Sequence, residues 1–322
     1  MSYAMNTIPT TFNEHVVPYT LAGGSAFKSK GGGVDAVIMS RAGWYNFSFT
    51  VQQLLKLGCT SIISVELPNK SLDLERMSSE HPYVKFLVPS QEITRGEGIN
   101  LAMSELKGEW VIVLWNEQMI VDEKMLLKTL GFASTAKKIC VAPILISKSN
   151  ELLHTQMVPV LKEGHFYTES LPTLQNNLQT IYPFDFSGIY NRRKFIETAG
   201  FDYTISNPYW QNLDFGFRSY LWGDEIRLCT HFKLKYLAAL PTEETSHDDS
   251  YTRFYLKNLR PTVKNGIARM SFDVFFSYMK SMGANPLKAY QYFRIGKKWV
   301  SSCEKRFKTT PYDLISNWRA TQ

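Results

Sequence analysis

Between residues 34 and 147, apolar runs of strand length alternate with segments whose apolar residues recur at helical spacing. This alternation constrains the fold more than any other feature of the chain. The runs are "VDAVIMS" (34–40), "SIISVEL" (61–67), "YVKFLV" (83–88), "EWVIVLW" (109–115) and "KICVAPILIS" (138–147). Between them, "FSFTVQQLLKLGC" places Phe47, Val51, Leu54 and Leu55 on one helical face. "EGINLAMSELKG" (97–108) reads as a helix closed by Gly108, and "DEKMLLKTLGFA" (122–133) as another. Parallel strands need crossover connections, which helices usually supply, so the pattern predicts an α/β domain with a largely parallel sheet flanked by helices.

The second half is more mixed. "YPFDFSGIYNRRKFIETAGFD" (182–202) reads as a strand, a turn and a short helix ending at Gly200. "NLDFGFRSYLWGD" (212–224) reads as a helix with Asn212 as N-cap and Gly223 as its stop. Beyond Tyr251 the spacing predicts helices broken at Pro261, Pro286 and Pro311. Residues 1–33 end in "GGSAFKSKGGG" and carry no period, which predicts a flexible lead. The expected organisation is a lead (1–33), a domain (34–258) with halves at 34–147 and 148–258, and a basic helical C-terminal extension (259–322).

Charge separates that extension from the rest. The net charge is +7, but residues 253–322 hold fourteen Lys/Arg against three Asp/Glu, leaving −4 for the first 252 residues. Aromatics interleave with the cations in "RFYLKNLR" and "YQYFRIGKKWV". Such a segment attracts polyanions such as phospholipid headgroups or an anionic acceptor; a solvated helical face accounts for it equally well. Nucleic acid is not the expected partner, because no RNP, zinc or helix-turn-helix signature accompanies the charge. No apolar run approaches the ~18 residues of a membrane span, and the N-terminus lacks a basic-then-apolar leader. Cys59, Cys140, Cys229 and Cys303 show no C-x-x-C spacing, which fits reduced thiols. The expectation is a cytoplasmic protein, peripheral at the inner face of the membrane if the basic segment binds lipid.

In an open parallel sheet, ligands bind beyond the carboxyl ends of the strands. That places the loops after Val37–Ser40, Val65–Glu66 and Leu114–Glu117 at one rim. Five segments then resemble, in order, the family 2 glycosyltransferases, enzymes of the GT-A fold that move a sugar from a nucleotide-diphosphate carrier. "SIISVELPNKSLD" resembles a strand followed by V-D-D-G-S-x-D. "GINLAMSELKGEWVIVLWNE" resembles A-R-N-x-G-x-x-x-A-x-G-E-Y followed by L-D-x-D, with Asn100 eight positions before Gly108. "FSGIYNRRKFIETAGFD" resembles an acceptor-side block in which Ala199 replaces a glycine. "QNLDFGFRSYLWGDEIRL" resembles E-D-x-D-L-x-x-R-x-x-x-x-G-Y, and "SHDDSYTRFYLKN" a late H-x-x-x-S segment.

The resemblance implies a mixed GT-A sheet and transfer of a sugar to a glycan, lipid-linked or protein acceptor. On the donor side it implies that Glu66, Asp73, Arg95 and Asn100 contact the nucleotide, with Trp115 stacking on a base or sugar. For a divalent metal (Mn or Mg) it implies Glu117, with Asn116 offering a neutral oxygen and His247 completing the shell; hard cations favour such oxygen ligands. Trp115 stands at the first acid of L-D-x-D and cannot ligate. The E-D pair falls on Gln211 and Asn212, and an amide cannot accept the proton of an acceptor hydroxyl, so Asp214 and Asp185 become the candidate bases. Two readings stay open: an active transferase, metal-assisted or metal-free, and a catalytically inactive relative that binds nucleotide sugar or glycan or scaffolds a partner.

Overall fold

The computed structural model describes residues 9–15, 17–25, 33–41, 46–68, 73–134, 138–173, 175–282 and 286–318. In chain order the first half runs β1 (Tyr19–Gly23), β2 (Val34–Met39), α1 (Phe47–Lys56), β3 (Ile62–Val65), α2 (Leu74–Glu80), β4 (Val84–Pro89), α3 (Arg95–Glu105), β5 (Trp110–Trp115), β6 (Gln118–Ile120), α4 (Glu123–Ala133) and β7 (Lys138–Ile146). A hairpin of β8 (Gln156–Lys162) and β9 (His165–Leu171) follows, then β10 (Gly188–Asn191), α5 (Arg192–Glu197), α6 (Pro208–Leu221), β11 (Glu225–Tyr236) and α7 (Asp249–Phe254). After a π-helical turn (Tyr255–Leu259) the chain closes with β12 (Thr262–Lys264), β13 (Ile267–Arg269), α8 (Asp273–Met282), α9 (Pro286–Ser302) and α10 (Pro311–Ser316).

Nine strands among the described residues form one mixed sheet, ordered β1-β4-β3-β2-β5-β10-β7-β11-β6. Strands β4, β3, β2 and β5 are mutually parallel, and β10 enters antiparallel between β5 and β7. The central strands are buried on both faces, which explains their near-continuous apolar runs. Alternate residues serve separate cores: Val37, Val111 and Val113 pack towards α3 and α6, whereas Ala36, Ile38, Ile112 and Leu114 pack towards α1.

Several expectations need correction. The supposed lead supplies β1, which pairs antiparallel with β4 from Tyr19↔Pro89 to Gly23↔Lys85; residues 1–8, 16 and 26–32 lie outside the described residues. Helix α6 begins at Pro208, four residues before Asn212, because Asn207 caps it by accepting from the N–H groups of Tyr209 (2.9 Å) and Trp210 (3.4 Å). Gly108 does not terminate α3, which ends at Glu105; its N–H donates to Asp35 Oδ2 at 2.6 Å, and a Cβ there would sit 2.7 Å from the Gly33 carbonyl oxygen. The C-terminal segment is no appendage. Trp299, Phe307 and Trp318 are buried in the same core as α3 and α6, and the Trp299 indole donates to the Pro9 carbonyl at 3.0 Å. Pro286 and Pro311 open α9 and α10 rather than merely breaking helices. No helix among the described residues is long and apolar enough to cross a membrane.

Candidate functional site

Parallel pairing brings the strand ends together. Met39 stands opposite both Val65 and Trp115, so Ser40–Arg41, Glu66 and Asn116–Glu117 emerge at one rim. The corner is tied by backbone: Asn116 N–H donates to the Met39 carbonyl (3.0 Å) and Ser40 N–H to that of Val65 (3.0 Å). The Arg41 N–H donates to Asn116 Oδ1 at 3.2 Å.

Arg41 is the centre of this corner. Its guanidinium pairs with both Glu117 and Asp185 and lies 3.6 Å from the centroid of the Trp115 ring, within cation–π range. Arg95, the first residue of α3, approaches Asp185 Oδ1 at 3.7 Å and the Trp115 ring at 5.5 Å. The Trp115 indole N–H donates to the Asp185 carbonyl oxygen (2.8 Å), and the Tyr236 hydroxyl to Asp185 Oδ2 (2.8 Å). Asp185 and Phe186 both adopt left-handed backbone, at φ 54° and 61°. Each costs about 1–2 kcal/mol, a strain set against the ring of donors that holds the Asp185 carboxylate. Burial raises the Asp185 pKa, opposed by Arg41, Tyr236 and Arg95. Burial alone would depress Arg41, but the Asp185 and Glu117 carboxylates more than reverse that, and its pKa is raised. Arg95 is lowered by burial and by its neighbour Arg41.

Three spaces meet here. A cavity of about 470 Å³ is lined by Arg41, Glu66, Thr94, Arg95, Gly98 and Trp115. At its wall Glu66 is 2% exposed and accepts from Ser64 Oγ at 2.5 Å. A second cavity of about 490 Å³ is lined by Phe166, Tyr182, Tyr209, Trp210, Glu243 and His247. A small chamber of about 180 Å³ is lined by residues that include Arg95, Asp185, Asn212 and Glu243. Arg95 therefore borders the first and third spaces, and Glu243 the second and third. Glu243 accepts from the Tyr182 hydroxyl at 2.8 Å, and burial raises its pKa to about 7. Asn212 is 1% exposed; its amide N–H donates to the Pro183 carbonyl at 2.6 Å, which leaves its Oδ1 as a buried acceptor without a partner. Gly216 allows this approach, since a Cβ there would overlap the Ile181 carbonyl oxygen.

The residues expected from the sequence separate into two groups. Glu66, Arg95 and Trp115 line the first cavity, Glu117 reaches it through Arg41, and Asp185 sits beneath both arginines. Asn100 and Asp73 line none of the three cavities described above. Asn100 bridges to the backbone of Phe201 (2.8 and 2.9 Å), and Asp73 caps α2 through the Arg76 N–H (3.0 Å). His247 stacks on Tyr251 with 3.8 Å between centroids and lines the second cavity, away from Glu117, so the expected metal set is not assembled. No group of three or more His, Cys, Asp or Glu side chains among the described residues is arranged to hold a metal.

Asp214 requires a correction. It is fully enclosed and receives Lys257 (2.8 Å), Arg218 (3.2 Å) and Asn258 (2.7 Å), with Lys257 also reaching Asp202 at 2.6 Å. It lines none of the three cavities, so its carboxylate ties α6 to the π-helical turn instead of meeting a substrate. Two residues not anticipated prove central: Arg41 and Glu243. Arg41 was accessible to the strand-end rule, standing two residues past Met39. Glu243 had no signal, because only tertiary packing brings "PTEE" beside Asp185.

No known protein-family profile matches the chain, and no curated protein matches it by sequence. Among solved structures, GalNAc-T7 with UDP, GalNAc and Mn2+ superposes with a TM-score of 0.56 at 12% identity, over 90% of this chain and 59% of that one. The mannosyltransferase PcManGT from Pyrobaculum calidifontis, in complex with GDP-Man and Mn2+, gives a TM-score of 0.45 at 10% identity, over 94% and 83% of the two chains. The chain has the GT-A fold, and it spans 59% of the length of GalNAc-T7.

Proposed function

We propose that this GT-A chain is a glycosyltransferase, of the family 2 type, that holds a nucleotide-diphosphate sugar beside Glu66 and passes its sugar to a hydroxyl beside Glu243. The observation that carries this reading is the shared wall: Arg95 borders both the donor-side cavity and the chamber of Asp185, Asn212 and Glu243. A sugar whose diphosphate lies against the arginines then projects towards Glu243. With a pKa raised to about 7, Glu243 is matched to proton transfer at neutral pH. The buried Asn212 Oδ1 supplies an acceptor for a substrate hydroxyl, relieving a desolvated polar atom worth about 1–3 kcal/mol. As the acceptor oxygen bonds to the anomeric carbon, its proton passes to Glu243, and the sugar–phosphate bond breaks with its electron pair on the diphosphate.

The acceptor belongs to the classes glycan, lipid-linked saccharide or protein, and assembly of an envelope polysaccharide suits a cytoplasmic enzyme with a basic C-terminal segment. Phe272, Phe276 and Tyr290 are exposed on α8, α9 and the residue preceding α8, with Lys297 over the Phe272 ring at 4.3 Å. Such a face supports peripheral contact with anionic lipid.

Thermal unfolding with UDP- and GDP-sugars tests the reading. A donor at ~100 times its dissociation constant adds about 2.7 kcal/mol, and no stabilisation by either would sink it. The placement of Asn212 at the family's base position favours a second reading, an inactive relative that binds donor or glycan. Donor binding without turnover, indifferent to Glu243→Gln, would select it.

A further inference from the structure

The donor set at the corner does not fit a divalent ion. Such ions take about six oxygens, and Mg2+ demands a near-octahedral shell. Among the described residues two carboxylates converge here, Glu117 and Asp185, and the Arg41 guanidinium already bonds to both. Trp115 offers no ligating atom, and its indole N–H is engaged with the Asp185 carbonyl. Asn116 Oδ1 accepts the Arg41 N–H. An ion entering this corner has to expel a cation held by two ion pairs and a ring face.

The charge count matches what a metal site carries. Two carboxylates with a divalent ion sum to zero, and so do Glu117 and Asp185 with Arg41 and Arg95. A guanidinium is also a planar fork of donors that meets phosphate oxygens two at a time. Arg95 is the more exposed of the pair, with 39% of its side chain accessible against 18% for Arg41, and both line the cavity that contains Glu66.

We propose that Arg41 and Arg95 bind the diphosphate of the donor in place of a divalent metal, so that donor binding and departure of the nucleoside diphosphate are metal-free. The proposal rests on the donor site assigned above. Glu117 and Asp185 act as positioning residues that aim the two guanidinium groups. Charge gathering on the leaving phosphate oxygen is met by fixed N–H donors that need no reorganisation.

Calorimetric titration of the full chain with UDP and with GDP, in EDTA and again with Mn2+, tests it. The expected result is an affinity for one of the two that does not change on adding Mn2+. Arg95→Gln should weaken that affinity about tenfold to a hundredfold in EDTA, the loss of charge-assisted hydrogen bonds, while leaving thermal unfolding of the free protein unchanged. Arg41→Lys, which keeps the charge but loses the fork, should also weaken it. Electron paramagnetic resonance of Mn2+ added to the native protein should show only the free ion. Binding that appears or strengthens tenfold with Mn2+, or an Arg95→Gln protein that binds as well as the native one, overturns the proposal and leaves the donor site standing. Failure of both nucleotides to bind under either condition overturns the donor site and this proposal together.

Discussion

Burial beside Tyr182 raises the Glu243 carboxyl from its ordinary 4.5 to about 7, and two pH effects of known sign follow. Acting as a base, the group must be ionised, so turnover should rise with pH through about 7. Stability should move the other way. The folded state holds this proton more tightly than the unfolded chain, so the contribution is complete below pH 4.5, declines as pH rises towards 7 and is then lost. Glu243→Gln should remove both trends and lower turnover by about 10²–10⁴-fold with little change in donor affinity. Equal turnover in that variant would exclude Glu243 as the base. At Asp214 the prediction is the reverse. Asp214→Asn disrupts a buried network and should cost about 3–5 kcal/mol in denaturant unfolding without altering donor affinity. Loss of donor binding in a folded Asp214→Asn protein would contradict the structural role argued for that residue.

Helix α6 starts earlier than its apolar period suggests. Its Asn207–Pro208 start was legible as a cap followed by proline, but the apolar period of "NLDFGF" directs attention to Asn212 instead. Because Gly216 lies against the Ile181 carbonyl, Gly216→Ala should push the helix off residues 181–183. The expected outcome is a protein destabilised by about 1–3 kcal/mol with reduced turnover, read by thermal unfolding and assay together. The hairpin of β8 and β9 was not legible: Glu163 and Gly164 both take positive φ (52° and 80°), but the first lacks the Asn, Asp or Gly that usually marks such a turn. At α8, replacing Phe272 and Phe276 with serine should weaken co-sedimentation with anionic vesicles while leaving thermal stability unchanged. Equal binding by that double variant would remove these aromatics from any lipid contact.

For the whole molecule, the question is whether residues 259–322 are separable. Trp299, Val300, Phe307 and Trp318 lie in the core that α3 and α6 share, and Leu221 accepts the Lys308 N–H at 2.7 Å. Truncation after residue 258 should therefore yield an insoluble or unfolded chain, checked by circular dichroism and gel filtration; a folded fragment would restore the idea of an independent extension. Local periodicity was enough to predict β2, β3, β4, β5 and β7, helices α1, α3 and α4 and the rim where the strand ends meet, because period and burial are written residue by residue; the short α2 and β6 carried too few residues to show a period. The five ordered segments were enough to anticipate the GT-A fold. Only the tertiary structure decided which carboxylates meet. Arg41 and Glu117 follow parallel strands β2 and β5, Asp185 sits in the turn that leads into antiparallel β10, and Asp214 meets Lys257, Arg218 and Asn258 inside the protein. Spacing along a chain determines which face a side chain takes, whereas the partner across a sheet or a cleft depends on register and packing between distant segments.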